Sequence, residues 1–140
     1  RKITSRRSSH TELLNLTALT LYSSGRSAYP VLTEAHAVYD FENIKNNLRK
    51  VGFAFYICEL VDKLCPDGLE NRSIFYLIKE VLFELEKETD ERRLMDDFEE
   101  KILILLGFMP QKHILSDRQA FIEQILEKKL NTRKLLQLFA

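Results

Sequence analysis

A chain of 140 residues, 45% apolar and 30% charged, is long enough to bury a core that folds alone and has the balance of a globular protein. Four Gly and three Pro exclude a turn-rich all-β chain, and no stretch approaches the ~18 consecutive apolar residues that span a bilayer. The net charge of zero conceals a polarity: residues 1–50 hold eight basic and four acidic groups (+4), residues 51–110 seven and fourteen (−7), and residues 111–140 six and three (+3).

The first ten residues, RKITSRRSSH, hold four Arg or Lys and no carboxylate. Arg1, Lys2, Arg6 and Arg7, with Ser5, Ser8, Ser9 and His10 as hydrogen-bond donors, are the groups that line a phosphate backbone. On a strand, Lys2 and Arg6 share one face and Arg1 and Arg7 the other. The same pattern also describes a solvated chain end. Because the chain starts with Arg rather than Met, its N-terminus is expected to lie upstream.

Residues 13–22, LLNLTALTLY, place Leu14 and Leu16, then Leu19 and Leu21, at strand spacing, with a helix over 11–21 as the alternative. SSGR (Ser23 to Arg26) is a turn signal, and AYPVLTEA (Ala28 to Ala35) is a second short extended piece whose Pro30 suits an edge. Residues 1 to about 35 therefore read as β structure.

From Asp40, a plausible N-cap, the period becomes helical. Ile44, Leu48, Val51, Phe55, Cys58, Val61 and Cys65 form one stripe, and Phe53, Ile57, Leu60 and Leu64 form a second. A helix apolar on two faces is expected to be central, covered from both sides. Pro66 ends it and Pro66-Asp67-Gly68 turns the chain. Cys58 and Cys65, seven apart on one helix, are ~10 Å apart at the helical rise, beyond disulfide reach, and read as buried thiols in a reducing compartment.

Three more helices follow. The first runs from Asn71 or Ser73 to about Lys87 with Ile74, Ile78, Val81, Leu82 and Leu85 inward. The second runs from Asp90 to Leu106 with Leu94, Met95, Phe98, Ile102 and Leu105 inward and Gly107 as its C′ residue. The last starts at Ser116, where SDRQ has the form of a capping box, and carries Ile122, Ile125, Leu126 and Leu130. The fold class is thus mostly α with a small β part, a strand fragment followed by an α-helical bundle.

No constellation for catalysis appears. The acidic run from Glu84 to Glu100 falls between apolar helix positions and reads as a solvated face. His10, His36 and His113 are scattered, and neither CxxC, HxxxH, a Gly-rich phosphate loop nor GxSxG occurs. No cofactor is expected, and an enzyme is disfavoured. With no visible signal or transit peptide, the expected location is the cytoplasm. A second basic group, Lys128, Lys129, Arg133 and Lys134, also fits cations at the end of a helix.

Several stretches together resemble the RecO family of bacterial recombination mediators. RKITSRR is similar to the basic strand of that family's oligonucleotide-binding (OB) barrel, and LTALTLYSSGRSAYPVLTEA to its last barrel strands. AFYICELVDKLCP (Ala54 to Pro66), LLGFMP (Leu105 to Pro110) and LEKKLNTRKLLQLF are similar to its helical domain. The resemblance implies residues 1–38 as the C-terminal strands of a truncated OB-fold and residues 39–140 as the α-helical domain. After GFMP, where a four-cysteine zinc module is common in the family, this sequence passes straight to QKHILSDRQ, so no zinc is bound in that way.

The resemblance further implies a protein without catalytic turnover that binds single- and double-stranded DNA, anneals complementary strands, and with RecR helps load RecA. It also implies docking of the acidic C-terminal tail of single-stranded DNA-binding protein on the helical domain. Lys2, Arg6, Arg7 and, on the turn, Arg26 are the expected phosphate contacts. Tyr22 and Tyr29 are the aromatic candidates for base stacking, with core or edge packing as their expected role. The competing reading is a helical protein-interaction or scaffold domain without nucleic-acid affinity, motivated by the acidic middle of the chain.

Overall fold

The computed structural model describes residues 12–25, 29–87, 90–109 and 117–126. The chain divides into two compact units, Arg1–Glu42 and Asn43–Ala140.

In the first unit, β1 (Leu16–Tyr22) and β2 (Val31–Tyr39) pair antiparallel as a two-stranded sheet. The strand reading of residues 13–22 holds over its helical alternative, because Thr and Leu alternate there and Thr is stiff at χ1 in a way that suits a pleated strand. β2 is longer than the expected piece ending near Ala35. Its additional residues, His36 to Tyr39, keep pairing with Ala18, Thr17 and Leu16. The register slips between Thr20 and Leu21, so that Glu34 faces Thr20 while Leu32 faces Leu21. This irregularity has a consequence for the faces: it brings Leu21 and Leu32 onto the same side as the Leu19 and Ala35 pair, where an unbroken register would set Leu21 against Thr33. The extra residue, Thr33, donates its hydroxyl to the carbonyl of Thr20 at 2.9 Å. Gly25, at φ +67°, provides the left-handed residue of the connection.

A single turn, α1 (Glu42–Lys45), lies at the unit boundary, and among the described residues of the second unit four helices follow it: α2 (Leu48–Leu64), α3 (Arg72–Glu86), α4 (Glu91–Leu105) and α5 (Arg118–Leu126). The expected helix start at Asp40 is corrected. The long helix begins at Asn47, whose side-chain oxygen accepts the N–H groups of Arg49 and Lys50 at 3.0 and 3.3 Å. Asn is among the strongest N-cap residues because it satisfies amides that the first turn leaves without partners. Asn71 and Asp90 cap α3 and α4 in the same way, accepting from Ile74 and Arg93.

At the other ends the punctuation reads as expected. Cys65, the C-cap of α2, is extended, as a residue before proline is biased to be, and Gly68 turns at φ +75°. α4 closes with the N–H of Gly107 on the carbonyl of Ile104 and the N–H of Phe108 on that of Leu103, with Gly107 at φ +78°. These are the two bonds of a Schellman cap. The start of α5 differs from expectation: Asp117 caps it by accepting from Ala120 at 2.9 Å, one residue beyond Ser116, which lies outside the described residues. Asp can take the cap because its carboxylate also meets the positive end of the helix dipole.

The core of this unit is built from Phe53, Ala54, Ile57, Leu60 and Leu64 of α2, Ile74, Leu77, Val81 and Leu85 of α3, Met95, Phe98, Ile102 and Leu103 of α4, and Ile122 of α5. Burying each large side chain contributes roughly 1.5–3 kcal/mol. Of the two α2 stripes, only the second is buried throughout. On the first, Leu48 is 70% exposed, Phe55 is also exposed and Val51 and Val61 are half-buried, so the helix is not covered on both sides. Leu77 takes the place expected for Ile78, and Leu103 the place expected for Leu105, which is exposed. Consecutive residues on a helix lie about 100° apart, so periodicity places the stripe only to within a position or two and contacts decide the rest.

Candidate functional site

Lys2, Arg6, Arg7 and Arg26, the expected phosphate contacts, lie outside the described residues, as does the basic group from Lys128 to Lys134. What is described between them is the hairpin, and residues 12–25 and 29–41 contain no Lys or Arg. Any cation this unit offers therefore flanks the strands. The tip of the hairpin is aromatic: Tyr22 ends β1 at 61% exposure and Tyr29 precedes β2 at 81%. Of the core or edge packing expected for these rings, the core half is corrected. They stand in solvent because the strands end there, with Tyr22 paired across the sheet to Val31, itself exposed. Leu19, Leu21, Val31 and Val38 are also exposed, so the sheet presents apolar area that two strands cannot cover.

The helical unit uses its charges differently, and two carboxylates of the acidic run depart from its reading as a solvated face. Glu86, at the end of α3, is buried. Its Oε1 accepts the N–H of Asn43 and its Oε2 the N–H of Ile44, both at 3.0 Å. Lys50, equally buried, donates Nζ to the carbonyls of Lys87 at 2.7 Å and Glu86 at 3.4 Å. The ammonium thus serves carbonyls that the end of α3 leaves open, where a cation is favoured. Asn43, Asn47, Lys50, Glu86, Lys87, Asp90 and Glu91 line a cleft of about 600 Å³ at this junction.

Glu99 is the second. It is 2% exposed and accepts the hydroxyl of Tyr56 at 2.6 Å, the short distance of a charge-assisted bond. Arg118 of α5 lies against α4 here, with Nη2 3.3 Å from Asp96 and with Nε and Nη1 at 3.7 and 3.8 Å from Glu99 and Glu100. A signal for this was present in the sequence. Glu99 is four residues after Met95 and three before Ile102, so it falls on the buried stripe of α4.

Cys58 and Cys65 are free thiols, but Cys58 is exposed, so the expectation of two buried thiols is corrected. Cys58 lies on the half-covered stripe of α2, and desolvation by partial burial raises both thiols above their ordinary value. A raised thiol is a poor nucleophile near neutral pH. Among the described residues, no group of three or more His, Cys, Asp or Glu side chains is arranged to hold a metal ion, and no helix is long and apolar enough to cross a membrane.

The fold and these surfaces define a mostly helical protein with a small exposed hairpin, in which buried polar groups fasten helix ends and the outer faces offer aromatic and apolar contact area. Comparison with known proteins gives the class a family. The family model described as "Recombination protein O C terminal" matches residues 45–113. The chain is 32% identical over 111 residues to "DNA repair protein RecO" of Dehalococcoides mccartyi (strain ATCC BAA-2100 / JCM 16839 / KCTC 5957 / BAV1), covering 79% of this chain and 43% of that protein. It is 35% identical over 79 residues to the protein of the same name from Pelotomaculum thermopropionicum, covering 56% and 30%. With that of Roseiflexus sp. it shares 32% over 111 residues, covering 79% and 38%. No solved structure matches. The chain belongs to the RecO family of DNA repair proteins, and its matches span less than half the length of these relatives.

Proposed function

We propose that this chain is the C-terminal part of a recombination mediator that binds and anneals single-stranded DNA, also binds duplex DNA, and with RecR helps load RecA. The observation that carries the reading is family membership together with the basic RKITSRR segment that precedes the hairpin in the sequence. Residues 1–38 are read as the last strands of an OB barrel and residues 39–140 as the helical domain. The uncovered apolar face of the hairpin supports this, since further strands would bury it. Annealing follows from charge neutralisation: cations on the protein release counterions from both strands and lower their mutual repulsion.

For the acidic, apolar tail of single-stranded DNA-binding protein, the described surface with the best chemistry is the outer stripe of α2. Leu48, Val51 and Phe55 offer apolar area, and Lys45 and Arg49 stand at the same end. The test of DNA binding is a salt titration of single-strand affinity with the full chain and its Arg6→Glu/Arg7→Glu variant. The affinity is expected to fall and the slope of log K against log salt to flatten by ~0.7 per lost phosphate contact. Unchanged affinity removes these residues from the interface. Tail binding with no DNA binding by the parent chain favours the second reading, a helical interaction domain, which the acidic α3 and α4 support.

A further inference from the structure

Between α3 and α4 runs a groove of about 240 Å³ lined by Leu77, Glu80, Val81, Glu84, Leu94, Asp97, Phe98 and Lys101. Leu77, Val81 and Phe98 form its floor and are themselves buried, so the groove is a dent in a finished core. Its rim is charged, and three of the four charges are carboxylates. Glu80 reaches Lys101 at 3.8 Å and Glu84 reaches Lys87 at 2.7 Å. The members of both pairs are largely in solvent, where such pairs are weak and open easily to an incoming charge.

We infer that this groove docks a basic segment of a protein partner, one that seats a single large apolar side chain on Leu77, Val81 and Phe98 and sets Lys or Arg on either side against Glu80, Glu84 and Asp97. The volume decides the size of the anchor. It falls below the ~300–1,000 Å³ of small-molecule sites and leaves room for one large side chain. Charge decides the sign of the partner. The rim carries a net charge of −2 within a stretch, residues 51–110, that carries −7, so a basic segment is drawn in and an acidic one is repelled. An acidic tail that binds this chain does so elsewhere, which keeps this surface distinct from the α2 stripe.

The probe is a fluorescein-labelled twelve-residue peptide with a central Leu flanked by three Lys on each side, compared with its Glu-flanked and central-Ala counterparts, titrated with the full chain by anisotropy. The Lys-flanked peptide is expected to bind and the Glu-flanked one not to. Replacing the central Leu with Ala should weaken binding at least fivefold, and Glu80→Lys/Asp97→Lys at least tenfold. Asp67→Lys, an exposed charge change on the turn after α2, should stay within twofold, and circular dichroism with urea unfolding verifies that each variant folds. Equal weakening by Asp67→Lys, equal binding of the Ala peptide, or stronger binding of the Glu-flanked peptide overturns the inference.

Discussion

The hydroxyl of Tyr56 on α2 donates to Glu99 on α4 at 2.6 Å, inside the helical core. Without it the buried carboxyl of Glu99 loses this hydrogen bond, while Arg118 stands at 3.7 Å. A hydrogen bond to a charged group contributes about 1.5–3 kcal/mol. Tyr56→Phe, which leaves the ring in place, should lower the free energy of urea unfolding by about that amount with the slope against urea unchanged. A loss below ~0.5 kcal/mol, the range of an ordinary surface change, means the bond is not a structural one.

Glu86 and Lys50 make a testable fastening at the other end of the bundle. Glu86→Ala removes two bonds to the backbone N–H groups of Asn43 and Ile44, whereas Glu86→Gln retains one carbonyl acceptor. The expected loss for the alanine variant is about 1.5–3 kcal/mol, with a smaller one for glutamine. Hydrogen exchange reads the site directly: the amides of Asn43 and Ile44 should exchange at least tenfold faster in Glu86→Ala, and amides near Ile102 should change only by the global loss. Uniform acceleration everywhere would show that Glu86 acts on the whole unit and not on this joint.

Cys58 gives a pH dependence of defined sign. Its thiol is raised by desolvation, so the folded state holds the proton more tightly than the unfolded state does. The associated stability is present in full below the thiol value of the unfolded chain and is lost as pH climbs through the higher folded value. In a Cys65→Ser background, the rate of alkylation by iodoacetamide should rise with pH to a midpoint above that of the same chain in urea. A folded midpoint at or below the unfolded one contradicts the desolvation.

The same residues show how far the sequence could be read. Helix boundaries marked by side-chain chemistry, at Asn71, Asp90, Pro66 and Gly107, were legible because each acts on its own neighbours. Asp40 misled because a helix start also needs the chain to stay helical through Asn46 and Asn47, and the Asn47 side chain offers its amides a different partner. Composition made the acidic run look solvated, yet Glu86 and Glu99 are buried with partners 43 residues away in sequence, a pairing no local pattern encodes. For the candidate site, the basic segments were visible as charge, while the exposure of Tyr22 and Tyr29 depended on where the strands ended.

That exposure leads to the last prediction, which separates stacking from charge. Tyr22 at the end of β1 and Tyr29 just before β2 stand in solvent, and a ring stacked on a base contributes ~1–3 kcal/mol. Tyr22→Ala and Tyr29→Ala should each weaken binding of the full chain to a short oligothymidine by roughly five- to a hundredfold, the range those energies give at ~1.4 kcal/mol per decade. Because stacking releases no counterions, the slope of log K against log salt should stay that of the parent chain, in contrast to Arg6→Glu/Arg7→Glu. Tyrosine fluorescence should fall on titration with the oligonucleotide and less so in either variant. If both alanine variants bind as the parent does, the aromatic tip is not part of the DNA surface and the basic segment binds by charge alone.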